Sequence, residues 1–157
     1  IINGAIKEAG LLLILNKYIS TITGAYPFGE DFNVRNAPKN HDELIKLCKS
    51  KIPDDKMPLL VGVGDTVTSQ KDKSDSWLRG GSDRGFLTLI QKLGESYNKN
   101  NQVIFVNSSN EQVTRPRING SDMTGISDPD DDLKFNMIIK DGPEEYIEWF
   151  KQLACRF

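Results

Sequence analysis

The segment Val61-Gly62-Val63-Gly64-Asp65-Thr66 sets a carboxylate directly after a continuous apolar run that begins at Pro58. Such a run reads as a buried parallel strand. In open α/β sheets, ligands sit beyond the carboxyl ends of the strands, where Asp65 would point. A carboxylate there can hold Mg2+, which takes oxygen ligands and keeps waters that a substrate phosphate can replace. The same Gly64-Asp65 pair also suits a tight turn in which the aspartate caps backbone N–H groups. The residue types leave these two readings open.

A second chemical segment follows, Trp77-Leu78-Arg79-Gly80-Gly81-Ser82-Asp83-Arg84-Gly85-Phe86. Gly80 and Gly81 would let backbone N–H groups approach an anion, and Ser82 is expected to cap a helix whose N-terminus attracts one. Arg79 and Arg84 add planar forks suited to phosphate or carboxylate. Thr66, beside Asp65, joins them as a candidate phosphate contact. Asp83 stands at the helix start, on the same side of the sheet as Asp65. A plain Gly-rich turn before a capped helix is the alternative. Lys39 precedes the helix that leads into the Asp65 strand, so it could return to the strand ends and balance phosphate charge.

Other chemistries find little support. The Gly62-Val63-Gly64 pattern lacks a third glycine at dinucleotide spacing, and there is neither a Walker A sequence nor a Cys or His pair for zinc. His41 is the sole histidine, which leaves a Ser-His-Asp triad one possible base. The acidic run Asp128, Asp130, Asp131, Asp132 opens like a calcium loop, but Leu133 and Ile139 stand where that loop needs Gly and Glu. A solvated acidic loop is the expectation there. With 20 Lys+Arg against 22 Asp+Glu, the balance is slightly acidic, and no nucleic-acid partner is expected. The longest apolar run, Gly10–Leu15, is far short of a membrane span of about 20 residues. Cys48 and Cys155 read as free thiols, pointing to the cytoplasm, where the sequons at Asn107 and Asn119 would be accidental.

The elements that must position these residues follow from periodicity. Residues 2–22 read as a mostly buried helix closed by Gly24 and Pro27, before a Gly/Pro/Asn/Asp-rich loop. A second helix is predicted over 41–51 with Asn40 as N-cap. The Asp65 strand comes next, and residues 66–81 read as a polar loop. A third helix runs from about Ser82 to Asn98, and Gln102–Val106 is a second strand. Residues 107–132 form a long polar stretch in which Arg115 and Arg117 could meet an anion. Phe135–Ile139 is a third strand. Pro143 opens a last helix with Tyr146, Ile147, Phe150 and Leu153 inward. The alternation predicts a parallel α/β sheet with flanking helices. Three strands are few for that class, so the region is expected to be part of a larger sheet.

Val61–Ser69 (VGVGDTVTS) followed by Arg79–Leu89 (RGGSDRGFLTL), with the opening helix (IINGAIKEAGLLLILNKYI), resembles the cyanobacterial glucosylglycerol-phosphate phosphatases, the salt-tolerance phosphatase family. The resemblance covers most of the chain. It implies a haloacid-dehalogenase-like, three-layer Rossmann-like sheet, and hydrolysis of glucosylglycerol 3-phosphate to the osmolyte glucosylglycerol. It also implies a nucleophilic aspartate, a phosphate-neutralising lysine and a later acidic motif that binds Mg2+. Gly64-Asp65 matches that acidic motif, Asp83 is the candidate second acid with Asp72 and Asp75 as rivals, and Lys39 fits the lysine position. The nucleophile motif, an apolar strand ending in Asp-x-Asp-x-Thr/Val, has no match upstream of Asp65. Residues 1–157 are therefore expected to be a single α/β region, the carboxyl-terminal part of a larger phosphatase domain. The expected partners are a small phosphosugar and the missing N-terminal part.

Two further functions compete with that reading. One is a non-catalytic α/β module that binds a phosphorylated sugar or a protein partner. The other is an enzyme of a different class that uses Asp65 and Asp83 as an acid/base pair.

Overall fold

A computed structural model of the chain describes residues 6–108 and 123–155. Its order is α1 (Ile6–Thr23), α2 (His41–Lys51), β1 (Val61–Gly64), β2 (Thr68–Lys71), β3 (Trp77–Gly80), α3 (Arg84–Tyr97), β4 (Gln102–Val106), β5 (Met137–Ile139) and α4 (Pro143–Ala154). Strands β1, β4 and β5 form a parallel sheet in that order, with Val63 opposite Ile104 and Phe105 opposite Ile138.

Strand β4 shows why the sheet needs cover on both faces. Its side chains alternate, so Val103 and Phe105 enter one core with Leu87, Ile90 and Leu93 of α3, while Ile104 and Val106 turn to the other face. There Ile139 joins them, and Tyr146 and Trp149 of α4 pack over the cluster. The first core also takes Leu12 and Leu15 of α1 and Leu44 and Cys48 of α2. The result is the expected three-layer, Rossmann-like arrangement: α1, α2 and α3 on one face, the parallel sheet, and α4 on the other.

Gly62 and Gly64 let α3 lie close against β1. A Cβ on Gly62 would come within 2.5 Å of Ile90 Cδ1, and one on Gly64 within 2.8 Å of Asp83 Cβ. The Gly-x-Gly pattern therefore serves helix–strand packing here.

Three expectations change. Residues 66–81 are not a plain loop: β2 and β3 pair antiparallel, with Ser69 opposite Arg79 and Lys71 opposite Trp77. Their sequences, TSQK and WLRG, carry no apolar alternation because this two-stranded ribbon is largely exposed. Helix α1 is buried on one side only, since Ile14, Tyr18 and Ile22 face outward while Leu12, Leu15 and Ile19 face the core. In α4, Tyr146, Trp149, Phe150 and Leu153 are half-buried at i, i+3, i+4, i+7 spacing, but Ile147 is exposed. No described helix is long and apolar enough to cross a membrane.

Asn40 caps α2 as expected, its side chain accepting from Glu43 N–H. Within that helix, burial pushes the Cys48 thiol up to about 12, whereas Cys155 is exposed. In native protein at pH 8, one thiol per chain is expected to react with a disulfide reagent, at Cys155. Cys48 should follow only on unfolding, because the thiolate is the nucleophile and burial disfavours it. Rapid labelling of Cys48 in the folded protein would contradict this packing.

Candidate functional site

Where β1 ends, the chain turns sharply at Asp65-Thr66, and the N-terminus of α3 sits beside that turn. Asp83, the residue before α3, binds the two together. Its Oδ2 accepts the backbone N–H of Asp65 (3.0 Å) and of Thr66 (2.9 Å), and its own N–H donates to the Thr66 carbonyl (3.0 Å). Its Oδ1 accepts from Lys7 Nζ in the first turn of α1. Asp83 is buried, and Lys7 is half-exposed in this pair. The turn is thus capped by an aspartate, but by Asp83 rather than by Asp65.

The Asp65 side chain is held by hydroxyls. Thr66 Oγ1 donates to Oδ1 (2.7 Å) and Ser108 Oγ, just past β4, donates to Oδ2 (2.7 Å). Two carboxylates, three hydroxyls and one ammonium therefore gather at the carboxyl edge of the sheet, the third hydroxyl being Ser82 Oγ, 3.3 Å from Lys7 Nζ. Asp83 has donors on both carboxylate oxygens, which fits a positioning group better than one half of an acid/base pair. Among the described residues, no three His, Cys, Asp or Glu side chains converge as a metal cage. The hard oxygens of Asp65, Thr66 and Ser108 nevertheless suit Mg2+, which is commonly held by one or two carboxylates and completed by water and substrate phosphate.

The remaining candidates fall elsewhere. Lys39 is exposed in the loop before α2. Asp72 and Asp75 form the hairpin tip: Asp72 accepts from the Ser74 and Ser76 N–H groups at 2.7 and 3.0 Å, and Asp75 pairs with Lys71. Ser82 does not cap α3; Asp83 occupies the N-cap position. Gly80 accepts Arg84 Nε at its carbonyl (3.2 Å), and Gly81 turns the chain at φ +101°. Arg115, Arg117 and Asn119 lie outside the described residues.

Both arginines are committed to carboxylates of the acidic run. Arg79 forks onto Asp128 (2.9 and 2.8 Å), which also accepts from Ser69 Oγ, and Arg84 forks onto Asp131 (both 2.8 Å). The expected solvated loop is therefore solvated only in part. Asp130 and Asp132 are exposed, whereas Asp128 and Asp131 are buried beneath the hairpin. The guanidiniums make that burial possible, since an unpaired buried carboxylate would be costly. The Arg79 hydrogen bonds hold the Asp128 carboxyl well below the usual range. Burial acts to raise Asp131, but the Arg84 guanidinium and the Leu133 N–H outweigh it, and the net shift is downward.

A carboxyl lowered on folding stabilises the protein above its unfolded value, about 4, and that contribution fades as pH falls toward the folded value. Urea unfolding should therefore show lower stability at pH 3 than at pH 7. The difference should shrink in Asp128→Asn/Asp131→Asn. An unchanged difference in the double variant would assign the acid sensitivity to other groups.

Lys7 and Ser108 were not among the residues that the sequence singled out. Lys7 carried no signal, since the helix was expected to begin at residue 2 and a lysine in its second turn is commonplace. Ser108 carried none, as a polar residue at the end of a strand is commonplace.

Fold and site together define a three-layer α/β protein with paired acids, a lysine and hydroxyls at the carboxyl edge of a parallel sheet. The chain belongs to the glucosylglycerol-phosphate phosphatase family, whose model matches residues 1–154. It is 41% identical, over 167 aligned residues, to the glucosylglycerol-phosphate phosphatase of Synechocystis sp. (strain ATCC 27184 / PCC 6803 / Kazusa), covering 99% of this chain and 40% of that protein. The chain thus spans two fifths of the length of this curated relative. No solved structure matches.

Proposed function

We propose that this chain forms the acid-bearing part of a phosphatase that hydrolyses glucosylglycerol 3-phosphate to glucosylglycerol, an osmolyte of salt tolerance. The observation that carries this reading is the meeting of Asp65, Asp83 and Lys7 at the end of β1. Family membership and the printed activity of the Synechocystis relative support it. Asp65, with the Thr66 and Ser108 oxygens, would hold Mg2+. That ion, when bound, supplies positive charge to the substrate phosphate.

The chain's own residues have separable tasks. Asp83 fixes the turn, so that the Asp65 carboxylate is presented beyond the strand. Lys7 places an ammonium beside Ser82, where a phosphate oxygen would find both a cation and a hydroxyl. Arg79 and Arg84 brace the hairpin against the 123–136 segment. The nucleophilic aspartate would come from a segment outside this chain. Asp128 and Asp131 are tied to arginines, and among the described residues no strand leads into Asp130 or Asp132. The outer edge of β1 supports this assignment, because no described strand pairs with it and Val61 is exposed there. A parallel strand on that edge would end beside Asp65. Two free thiols suit a reducing cytoplasm.

The test is phosphate release from glucosylglycerol 3-phosphate in the presence of Mg2+. The comparison is this chain alone against a protein that also carries the region preceding the matched part of the Synechocystis relative. Release is expected only from the longer protein. Turnover by the chain alone would place the nucleophile within it. Binding without turnover in both forms would favour a non-catalytic module.

A further inference from the structure

A cavity of about 800 Å3 lies between the β2–β3 ribbon and the segment 123–129. That volume is in the range of small-molecule sites. Its lining includes Ser69, Lys71, Trp77, Met123, Ser127 and Asp128. Cross-strand pairing puts Ser69 opposite Arg79 and Lys71 opposite Trp77, so all four share one face of the ribbon, and Ser69, Lys71 and Trp77 of them line the cavity.

The charge in this cavity is already balanced. Asp128 at its base takes both arms of the Arg79 fork and the Ser69 hydroxyl. The Lys71 ammonium is 2.7 Å from Asp75 Oδ1 and sits over one face of the Trp77 ring, 5.3 Å from its centre, so a ligand would meet the indole's other face. What remains for a ligand is an indole wall, a thioether and a rim of hydroxyl and backbone groups. An anion would find no uncommitted cation among these residues. A pyranose fits better, with an apolar C–H face to lay on an aromatic ring and hydroxyls to meet the polar rim.

We infer that this cavity binds a neutral glycosyl unit, with Trp77 as its stacking platform. The inference deepens the proposed function by assigning the glycosyl part of the phosphosugar to this cavity, and rests on that function only for the link to phosphate. Ser69 follows Asp65 by four residues, so their Cα atoms are at most about 14 Å apart. The same ribbon that grows out of the Asp65 turn forms the cavity wall, which would couple sugar recognition to the position of the acid.

Trp77 and Trp149 are the two tryptophans, so single-tryptophan variants report on each separately. The full chain as Trp149→Phe, retaining Trp77, is titrated with methyl glucoside and with glucosylglycerol. A saturable change in emission is expected. Trp77→Phe, retaining Trp149, should stay silent, and calorimetric affinity for glucosylglycerol should fall at least fivefold in Trp77→Ala. Far-ultraviolet circular dichroism checks that each variant is folded. The response should persist in Asp65→Asn, and inorganic phosphate should not reproduce it. No saturable change at Trp77, an equal change in Trp77→Phe, or an equal response to inorganic phosphate would overturn the assignment. Glycoside binding with no phosphatase activity in the longer protein would keep the subsite and reject the phosphatase reading. Activity without glycoside binding at Trp77 would do the reverse.

Discussion

Replacing Asp65 by asparagine is expected to lower phosphate release by the longer protein about 10²–10³-fold, the scale of losing one source of charge stabilisation, because the carboxylate would hold the Mg2+ that offsets phosphate charge. Asparagine preserves size and can still accept one hydroxyl hydrogen bond. It removes the carboxylate charge that would hold Mg2+ in the proposed site. Thermal stability should change by about 1 kcal/mol, the scale of one altered hydrogen bond. Added Mg2+ should protect the unaltered protein against unfolding and protect Asp65→Asn much less, since a ligand that binds only the folded state raises its stability. Asp83→Asn should behave differently. Asp83 accepts two backbone N–H groups and the Lys7 ammonium, so its loss should reduce stability and activity together. Full activity in Asp65→Asn would remove Asp65 from the reaction. Equal loss of stability in both variants would reduce Asp65 to a structural role.

The second large effect is expected at Gly81. Its φ of +101° is a conformation that residues with a side chain rarely adopt, and an added Cβ would stand 2.1 Å from the Thr66 carbonyl oxygen. That oxygen cannot move aside, because it accepts the Asp83 N–H at 3.0 Å. Gly81→Ala therefore has to break the latch that joins the Asp65 turn to α3. A loss of about 3 kcal/mol or more is expected, combining backbone strain with the clash. That is a large share of the usual stability of a domain. The neighbouring glycine provides the control. A Cβ on Gly80 would meet only Thr68 Oγ1, at 3.2 Å, and no positive φ is required there. Chemical denaturation of Gly80→Ala should show a change below about 1 kcal/mol. Similar losses in both variants would mean that the close approach at Gly81 does not govern the turn.

Gly81 illustrates how the sequence was informative and incomplete together. Two adjacent glycines before a helix announce a backbone that needs freedom, and an anion cradle was the natural expectation. The structure shows Gly81 serving a tight crossing of the Asp65 turn instead. Arg79 and Arg84 were legible as forks for an acid or a phosphate, but their sequence neighbours gave no sign of which. Asp128 and Asp131 lie 49 and 47 residues away along the chain, and only folding brings them under the hairpin. The hairpin itself was hidden because an exposed two-stranded ribbon has no buried face to impose alternation.

The parallel strands, α2 with its Asn40 cap, the proline opening of α4 and the acid at the end of β1 were all readable from the sequence. Each is dictated by local chemistry: apolar runs for buried strands, capping oxygens for unsatisfied N–H groups, proline where a helix start leaves an N–H without a partner. Which aspartate caps the turn, which lysine stands beside it and which carboxylates consume the arginines were decided by tertiary structure alone. These are pairings between groups far apart in the chain. Burial makes each charge require a partner, and the fold determines which partner is within reach.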